Sequence, residues 1–193
     1  MAPRLSWRDP IISVVDGVLS RDECFDLIAR IEAAGPTPAP VHSASGAHYA
    51  PEYRHNDRVM EDDPALAATL FERVKAHVPA DILGWKPVGA NERLRFYRYK
   101  PGHFFAPHRD GSFRRSAGEE SLLTLIVYLN GGLLGGETRF LDLDRTVVPV
   151  AGRALLFSHP LIHEGAPVRS GIKYAVRSDV MYAGEPTGDD GDD

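Results

Sequence analysis

Residues 96–111 read FYRYKPGHFFAPHRDG: an aromatic strand, a Pro-Gly turn, and a His-x-Asp pair in one short run. Tyr97 and Tyr99 alternate with Phe96 and Arg98 as on a strand, and Pro101-Gly102 has turn chemistry, so the stretch reads as short β-structure. Successive side chains on a strand alternate faces. His108 and Asp110, two apart, therefore project the same way and can hold one metal ion together. One imidazole and one carboxylate are an incomplete set. A second histidine would complete a two-His-one-carboxylate facial triad, the ligand arrangement of non-haem Fe(II) sites that keep positions open for chemistry.

Outward from this stretch the chain keeps to short strands. The spacing of apolar runs between Gly, Pro and Asp clusters predicts strands over 92–100, 121–129, 137–141, 146–150, 153–158 and 172–182, a sandwich or barrel pattern. SLLTLIVYLN (121–130) is apolar on both parities, as expected of a central strand covered on both faces, and Thr124 is its odd polar member. Toward the start, Ile11 to Val18 reads as a strand. Ser20 then opens a capping box with Glu23 before the periodic run Cys24, Leu27, Ile28, Ile31, a helix ending near Gly35. Asp63-Pro64 has the N-cap and first-turn chemistry of a second helix running to about His77, with Leu66, Leu70, Phe71 and Val74 on one face. Both helices are expected to buttress a sheet. Residues 35–56 lack periodicity and read as a long loop, either a lid over the site or a plain connection.

The 193 residues suffice for one domain, expected over 1–184, with a core at about 91–182 and the N-terminal strand and helices at about 11–78. The acidic, apolar-free end GEPTGDDGDD suggests a disordered tail over 185–193. No apolar run approaches membrane-spanning length, and the opening MAPRLSWRDP lacks an apolar signal core. The only cysteine, Cys24, cannot form an internal disulfide, reads as core filler, and makes a cytoplasmic location the expectation.

Eight histidines compete to complete the triad. His42, His48 and His55 fall in the loop, His77 ends a helix, and His103 has Phe105 rather than a carboxylate two positions on. His159 and His163 remain, both after the buried strand RALLFS. Ten residues beyond His163, Lys173 enters the apolar strand IKYAVRSDVMY. A lysine there needs an anionic partner, which a dicarboxylate cosubstrate would supply.

HRD at 108–110, His163 and Lys173 together resemble the iron and 2-oxoglutarate signature of the prolyl 4-hydroxylase-like 2-oxoglutarate/Fe(II)-dependent dioxygenases. YKPG at 99–102, GGET at 135–138, GRALLF at 152–157 and HEGAPV at 163–168 occur in the order and context of that family. The resemblance implies a mainly β fold with N-terminal helices, a double-stranded β-helix or jelly roll. It also implies Fe(II), 2-oxoglutarate and O2, with ascorbate as a reductant. By the same resemblance His108, Asp110 and His163 match the metal ligands, Lys173 the partner of the distal 2-oxoglutarate carboxylate, and Tyr99 a tyrosine bonding the same carboxylate. Thr124 matches a pocket threonine. Asp110 speaks against the halogenase variants, which carry a small residue there. The activity implied is hydroxylation of an unactivated C–H bond on a prolyl peptide, a free amino acid or another small molecule. A jelly-roll metal-binding or sensor protein of cupin type is the competing reading, and Lys173 discriminates against it.

Strand parity adds pocket candidates. If Tyr99 faces the interior, so do Tyr97 and Arg95, and Lys173 likewise implies Ala175 and Arg177. Buried arginines need anions, so Arg95 and Arg177 are candidates for a substrate acid or for a structural pair with an internal Asp or Glu. Residues 91–115 carry seven basic side chains against two acidic, while the whole chain is -5. A basic mouth of this kind would concentrate 2-oxoglutarate, and a solvated strand face is the alternative. Neither nucleic acid nor membrane is an expected partner, and oligomeric state is left open.

Overall fold

A computed structural model describes residue 5, residues 9–43 and residues 46–185. Of the expected tail, all but Glu185 lies outside the described residues. Two antiparallel sheets face each other. The larger runs in the order Ile12–Val15, Ala154–Ser158, Glu119–Tyr128, Lys173–Ala183, Arg93–Tyr99, Asp57–Asp62, Thr37–Pro38. The smaller runs Arg145–Val147, Thr138–Phe140, His163–Gly165, Phe104–His108, Arg54–His55. The chain crosses repeatedly between them, which makes the architecture a double-stranded β-helix, as the sequence led us to expect. No helix among the described residues is long and apolar enough to cross a membrane.

Period-two alternation sorts the larger sheet into two faces. Leu123, Leu125 and Val127 turn outward with Leu156, Val176 and Phe96, onto Cys24, Leu27, Ile31, Leu70, Phe71 and Val74 of the two helices. The helices, Arg21–Ala33 and Pro64–Val74, start as their sequences require. Ser20 and Glu23 close a reciprocal capping box, and the Asp63 carboxylate accepts from Leu66 N at 2.9 Å. Burial raises the Cys24 thiol pKa, as suits a packing residue. The inner face carries Tyr128, Leu155 and Phe157, which pack on Phe140 and Val147 of the smaller sheet. It also carries the polar set Thr124, Lys173, Arg177 and Asp179, all buried or nearly so between the sheets.

Three expectations need correction. Residues 35–56 are not structureless: Thr37–Pro38 pairs with the edge of the larger sheet, Arg54–His55 with Phe104 and Phe105, and Val41–Ser43 with Gly46–His48. Pairings of two or three residues leave no periodic trace. The strands Asp57–Asp62 and Lys86–Ala90 were also not anticipated. The basic mouth, finally, is largely neutralised. Arg93 pairs with Asp62, Arg95 with Asp179, Arg98 and Lys100 with Asp57, Arg114 with Glu120, and Arg115 with Glu92 and Glu119.

Candidate metal centre and its cavity

His108 and His163 are directly opposed on adjacent strands of the smaller sheet. Asp110 was expected on the same strand as His108, but that strand ends at His108, and Asp110 sits just beyond it with its N–H bonded to His159 O at 3.2 Å. The departure bends the carboxylate toward both imidazoles. Asp110 lies 3.7 Å from His108 Nε2 and 3.6 Å from His163 Nε2, and one ligand atom from each residue lies within 4.8 Å of the others. Each ring is oriented through its other nitrogen, His108 Nδ1 on Ala106 O at 2.8 Å and His163 Nδ1 on Leu161 O at 2.9 Å. Such bonds fix the tautomer that leaves Nε2 free to ligate. Phe105 stacks on His108 at 3.6 Å, and Phe157 lies edge-on to His163 at 4.5 Å.

The electrostatics favour a cation here. Burial pushes the His108 pKa down to about 4, with His163 adding to the shift, and burial lowers His163 too, which favours the neutral imidazoles that a metal ion would need. Burial alone would raise the Asp110 carboxyl, but Arg177, the histidines and the Thr124 bond hold it below the usual carboxylate range. Thr124 Oγ1 donates to Asp110 Oδ2 at 2.6 Å, and Arg177 Nη1 lies 3.1 Å from Oδ1.

The cavity beside this triad is walled by Tyr97, Tyr99, Phe105, Ile126, Thr138, Lys173, Ala175 and Arg177 among others. Lys173, opposite Tyr99 in the sheet register, is 5% exposed. Its ammonium donates to Gly136 O at 2.6 Å and lies 5.2 Å from the Tyr99 ring and 5.4 Å from that of Tyr128. Burial lowers its pKa to about 8, with the Glu137 charge opposing. A buried ammonium whose hydrogen-bond partner is one backbone carbonyl is costly unless an anion joins it. The turn that supplies this carbonyl depends on glycine. Gly136 has φ +75°, and a Cβ there would come within 3.3 Å of Lys173 Cδ and closer still to Leu133.

The sequence-derived candidates fall into three groups. His108, Asp110 and His163 converge. Tyr97, Tyr99, Lys173, Ala175 and Arg177 all reach the cavity wall, following strand parity. Thr124 does not line it, because its hydroxyl is turned to Asp110. Arg95 and Arg177 meet anions already, since Arg95 binds Asp179 at 3.0 Å and Arg177 binds both Asp110 and Asp179 at 3.1 Å. Of the two readings open for them, the internal pair is the one present. His159 Nε2 is buried 3.8 Å from Asp179. Thr138, whose Oγ1 bonds Tyr128 OH at 2.7 Å on the cavity wall, was not singled out, although it closes the GGET motif.

Residues 94–178 match the model of the 2OG-Fe(II) oxygenase superfamily. Over that span the chain is similar to the superfamily. The chain is 31% identical over 106 residues to a putative prolyl 4-hydroxylase of Acanthamoeba polyphaga mimivirus, a match covering 46% of this chain and 44% of that protein. It therefore spans less than half the length of that relative. With prolyl 4-hydroxylase 1 of Arabidopsis thaliana it shares 27% identity over 198 residues, 89% of this chain and 68% of that one. Among solved structures, the viral collagen prolyl hydroxylase of Paramecium bursaria Chlorella virus-1, in complex with 2OG, superposes with TM-score 0.62. The match is 24% identical and covers 89% of this chain and 96% of that chain, a likeness that carries the fold.

Proposed function

We propose that the protein is a 2-oxoglutarate- and Fe(II)-dependent dioxygenase that hydroxylates an unactivated C–H bond. The observation that carries the reading is the pairing, in one cavity, of a cluster of three candidate ligands with a buried ammonium that has, among the described residues, no carboxylate partner in hydrogen-bonding contact. The residues fit the group that the superfamily uses. His108 Nε2, His163 Nε2 and the Asp110 carboxylate would hold the iron, while Lys173, with Tyr99 and Thr138 beside it, would take the distal carboxylate of 2-oxoglutarate. Bound iron with 2-oxoglutarate and O2 supplies the oxidant for C–H hydroxylation, releasing succinate and CO2.

The chain's own work is placement. Ala106 and Leu161 carbonyls orient the imidazoles, Thr124 and Arg177 hold Asp110 ionised, and Phe105, Ile126 and Ala175 line an apolar wall. Lys173 selects a dianionic cosubstrate, since a metal-binding module has no need of a buried cation there. Relatives named as prolyl hydroxylases support a prolyl or amino-acid substrate. The test is succinate release from 2-oxoglutarate by the Fe(II)-loaded protein across prolyl peptides, free amino acids and cell extract, with products weighed for one added oxygen. His108→Ala, Asp110→Ala and His163→Ala are each expected to abolish iron binding and release, whereas His159→Ala keeps both. Release that survives all three ligand variants would overturn the reading.

A further inference from the structure

A second cleft opens beside the cavity and shares Tyr97 and Arg177 with it. Its walls carry five arginines, Arg54, Arg58, Arg93, Arg95 and Arg177, against Asp62 and Glu92. Most of these charges cancel. Arg93 is held by Asp62, Arg95 and Arg177 by Asp179, and Glu92 by Arg115. Arg54 and Arg58 are different. Arg54 is 6% exposed, donates its Nε–H to Asn56 Oδ1 at 2.8 Å, and has a buried Nη2 with no hydrogen-bond partner among the described residues. Its guanidinium lies over the rings of Phe105 and Tyr97, at 4.5 and 5.3 Å. Arg58, half-buried, stands across from Tyr97 in the sheet register and makes no ion pair or hydrogen bond with the described residues.

Two neighbouring guanidiniums without a carboxylate, one of them buried with an idle donor, are unfavourable as they stand. An oxyanion between them would satisfy the idle donor and offset the repulsion. Burial and the nearby Arg54 and Arg95 charges also lower the Arg58 pKa, the direction expected of a cation lacking its counter-charge. The cleft shares Tyr97 and Arg177 with the metal cavity, and Arg177 pairs with Asp110 at 3.1 Å, so the cleft adjoins the triad as the binding site of a substrate presented to it would. Lys173, on the far side, is already assigned to the cosubstrate.

We infer that Arg58 and Arg54 form a carboxylate-recognition site for the primary substrate, so that the C–H bond hydroxylated belongs to an acid. This rests on the function proposed above and narrows its substrate class. Two sources of the carboxylate share this chemistry, a free α-carboxylate on a small amino acid and an acidic side chain on a peptide.

The probes are matched pairs: N-acetyl-L-proline against its amide, and a terminally blocked Glu-Pro peptide against its Gln-Pro counterpart, with inorganic phosphate as a further anion. Binding is measured by calorimetry on protein loaded with Mn(II) and 2-oxoglutarate, which does not turn over. The carboxylate member of at least one pair is expected to bind about ten- to a hundred-fold more tightly than its neutral partner. Arg58→Gln should erase that preference, and Arg58→Lys should keep part of it, with 2-oxoglutarate affinity unchanged in both. A preference within the N-acetylproline pair assigns a free carboxylate, and one within the peptide pair an acidic side chain. Equal affinities within both pairs, no anion bound at millimolar concentration, or a preference that survives Arg58→Gln would each overturn the inference. Normal 2-oxoglutarate binding in those cases would leave the dioxygenase reading standing, whereas its failure in the wild type would remove that reading itself.

Discussion

Arg177 sits where the proposed metal site and fold stability meet, bridging Asp110 and the buried Asp179. Arg177→Gln leaves the Asp110 carboxylate without its cation, and breaking a buried pair on one side costs about 3–5 kcal/mol. Denaturant titration of the metal-free protein should show that loss at neutral pH. The sign follows from the depressed Asp110 pKa, whose stabilisation is present above the ordinary carboxylate value and fades as pH falls through the lower folded value. The gap between wild type and variant is therefore expected to narrow in acid, where the variant's Asp110 takes up a proton. A gap unchanged between neutral pH and pH about 3.5 would contradict the pairing. Lys173 gives the opposite dependence. Its empty-state pKa of about 8 means that 2-oxoglutarate must find it protonated, so binding should draw in a proton and weaken as pH rises beyond that value. Calorimetry in two buffers of different ionisation heat reads the proton directly. Affinity that stays flat across this range would remove Lys173 as the counter-ion.

Among the elements, those of five or more residues with an apolar face were legible, because alternation and helical period are written in their side chains. Glu119–Tyr128, Ala154–Ser158 and Lys173–Ala183 fall within a residue or two of expectation. Asp57–Asp62 escaped because its inward residues, Arg58 and Met60, line a polar cleft rather than a core, so the strand reads as charged. The triad was legible by type and spacing, although Asp110 reaches it by leaving the strand rather than by staying on it. That Arg95 and Arg177 pair with an internal acid was among the readings, but not which acid, since Arg95 and Asp179 are 84 positions apart. The 35–56 segment now divides into anchored and self-paired parts. Thr37–Pro38 and Arg54–His55 belong to the two sheets, Tyr53 packs edge-on to Phe105 at 5.8 Å, and His55 stacks on His103 at 4.1 Å. Hydrogen exchange should find the amides of 54–55 equally protected in apo and loaded protein. Added protection on loading with Mn(II), 2-oxoglutarate and substrate is expected in Val41–Ser43 and Gly46–His48, which form a two-stranded sheet separate from the two larger ones. Equal exchange there in both states would make the segment a plain connection.

At the scale of the whole molecule, the site is assembled from both sheets. His108 and His163 come from the smaller, while Lys173, Tyr99 and Arg177 come from the larger. Neither sheet holds a complete site, so ligands that need all of these groups bind only the folded arrangement. We propose that the described residues unfold as one cooperative unit, with the sheets joined through the Tyr128, Phe140 and Phe157 core. A ligand specific for the folded state adds RT ln(1 + [L]/Kd), about 2.7 kcal/mol at a hundredfold excess over Kd. Mn(II) alone should raise the unfolding temperature through the smaller sheet's ligands and Asp110. 2-Oxoglutarate added with Mn(II) should raise it again, in a single transition, if it spans from the metal to Lys173 as proposed. Lys173→Ala separates the two increments. It should retain the Mn(II) shift and lose most of the second, since unpairing the distal carboxylate costs about 3–5 kcal/mol, or roughly two to three and a half decades of affinity. A full second increment in Lys173→Ala would mean that the cosubstrate is held elsewhere. Two separate transitions in the loaded wild type would mean that the sheets do not share one site.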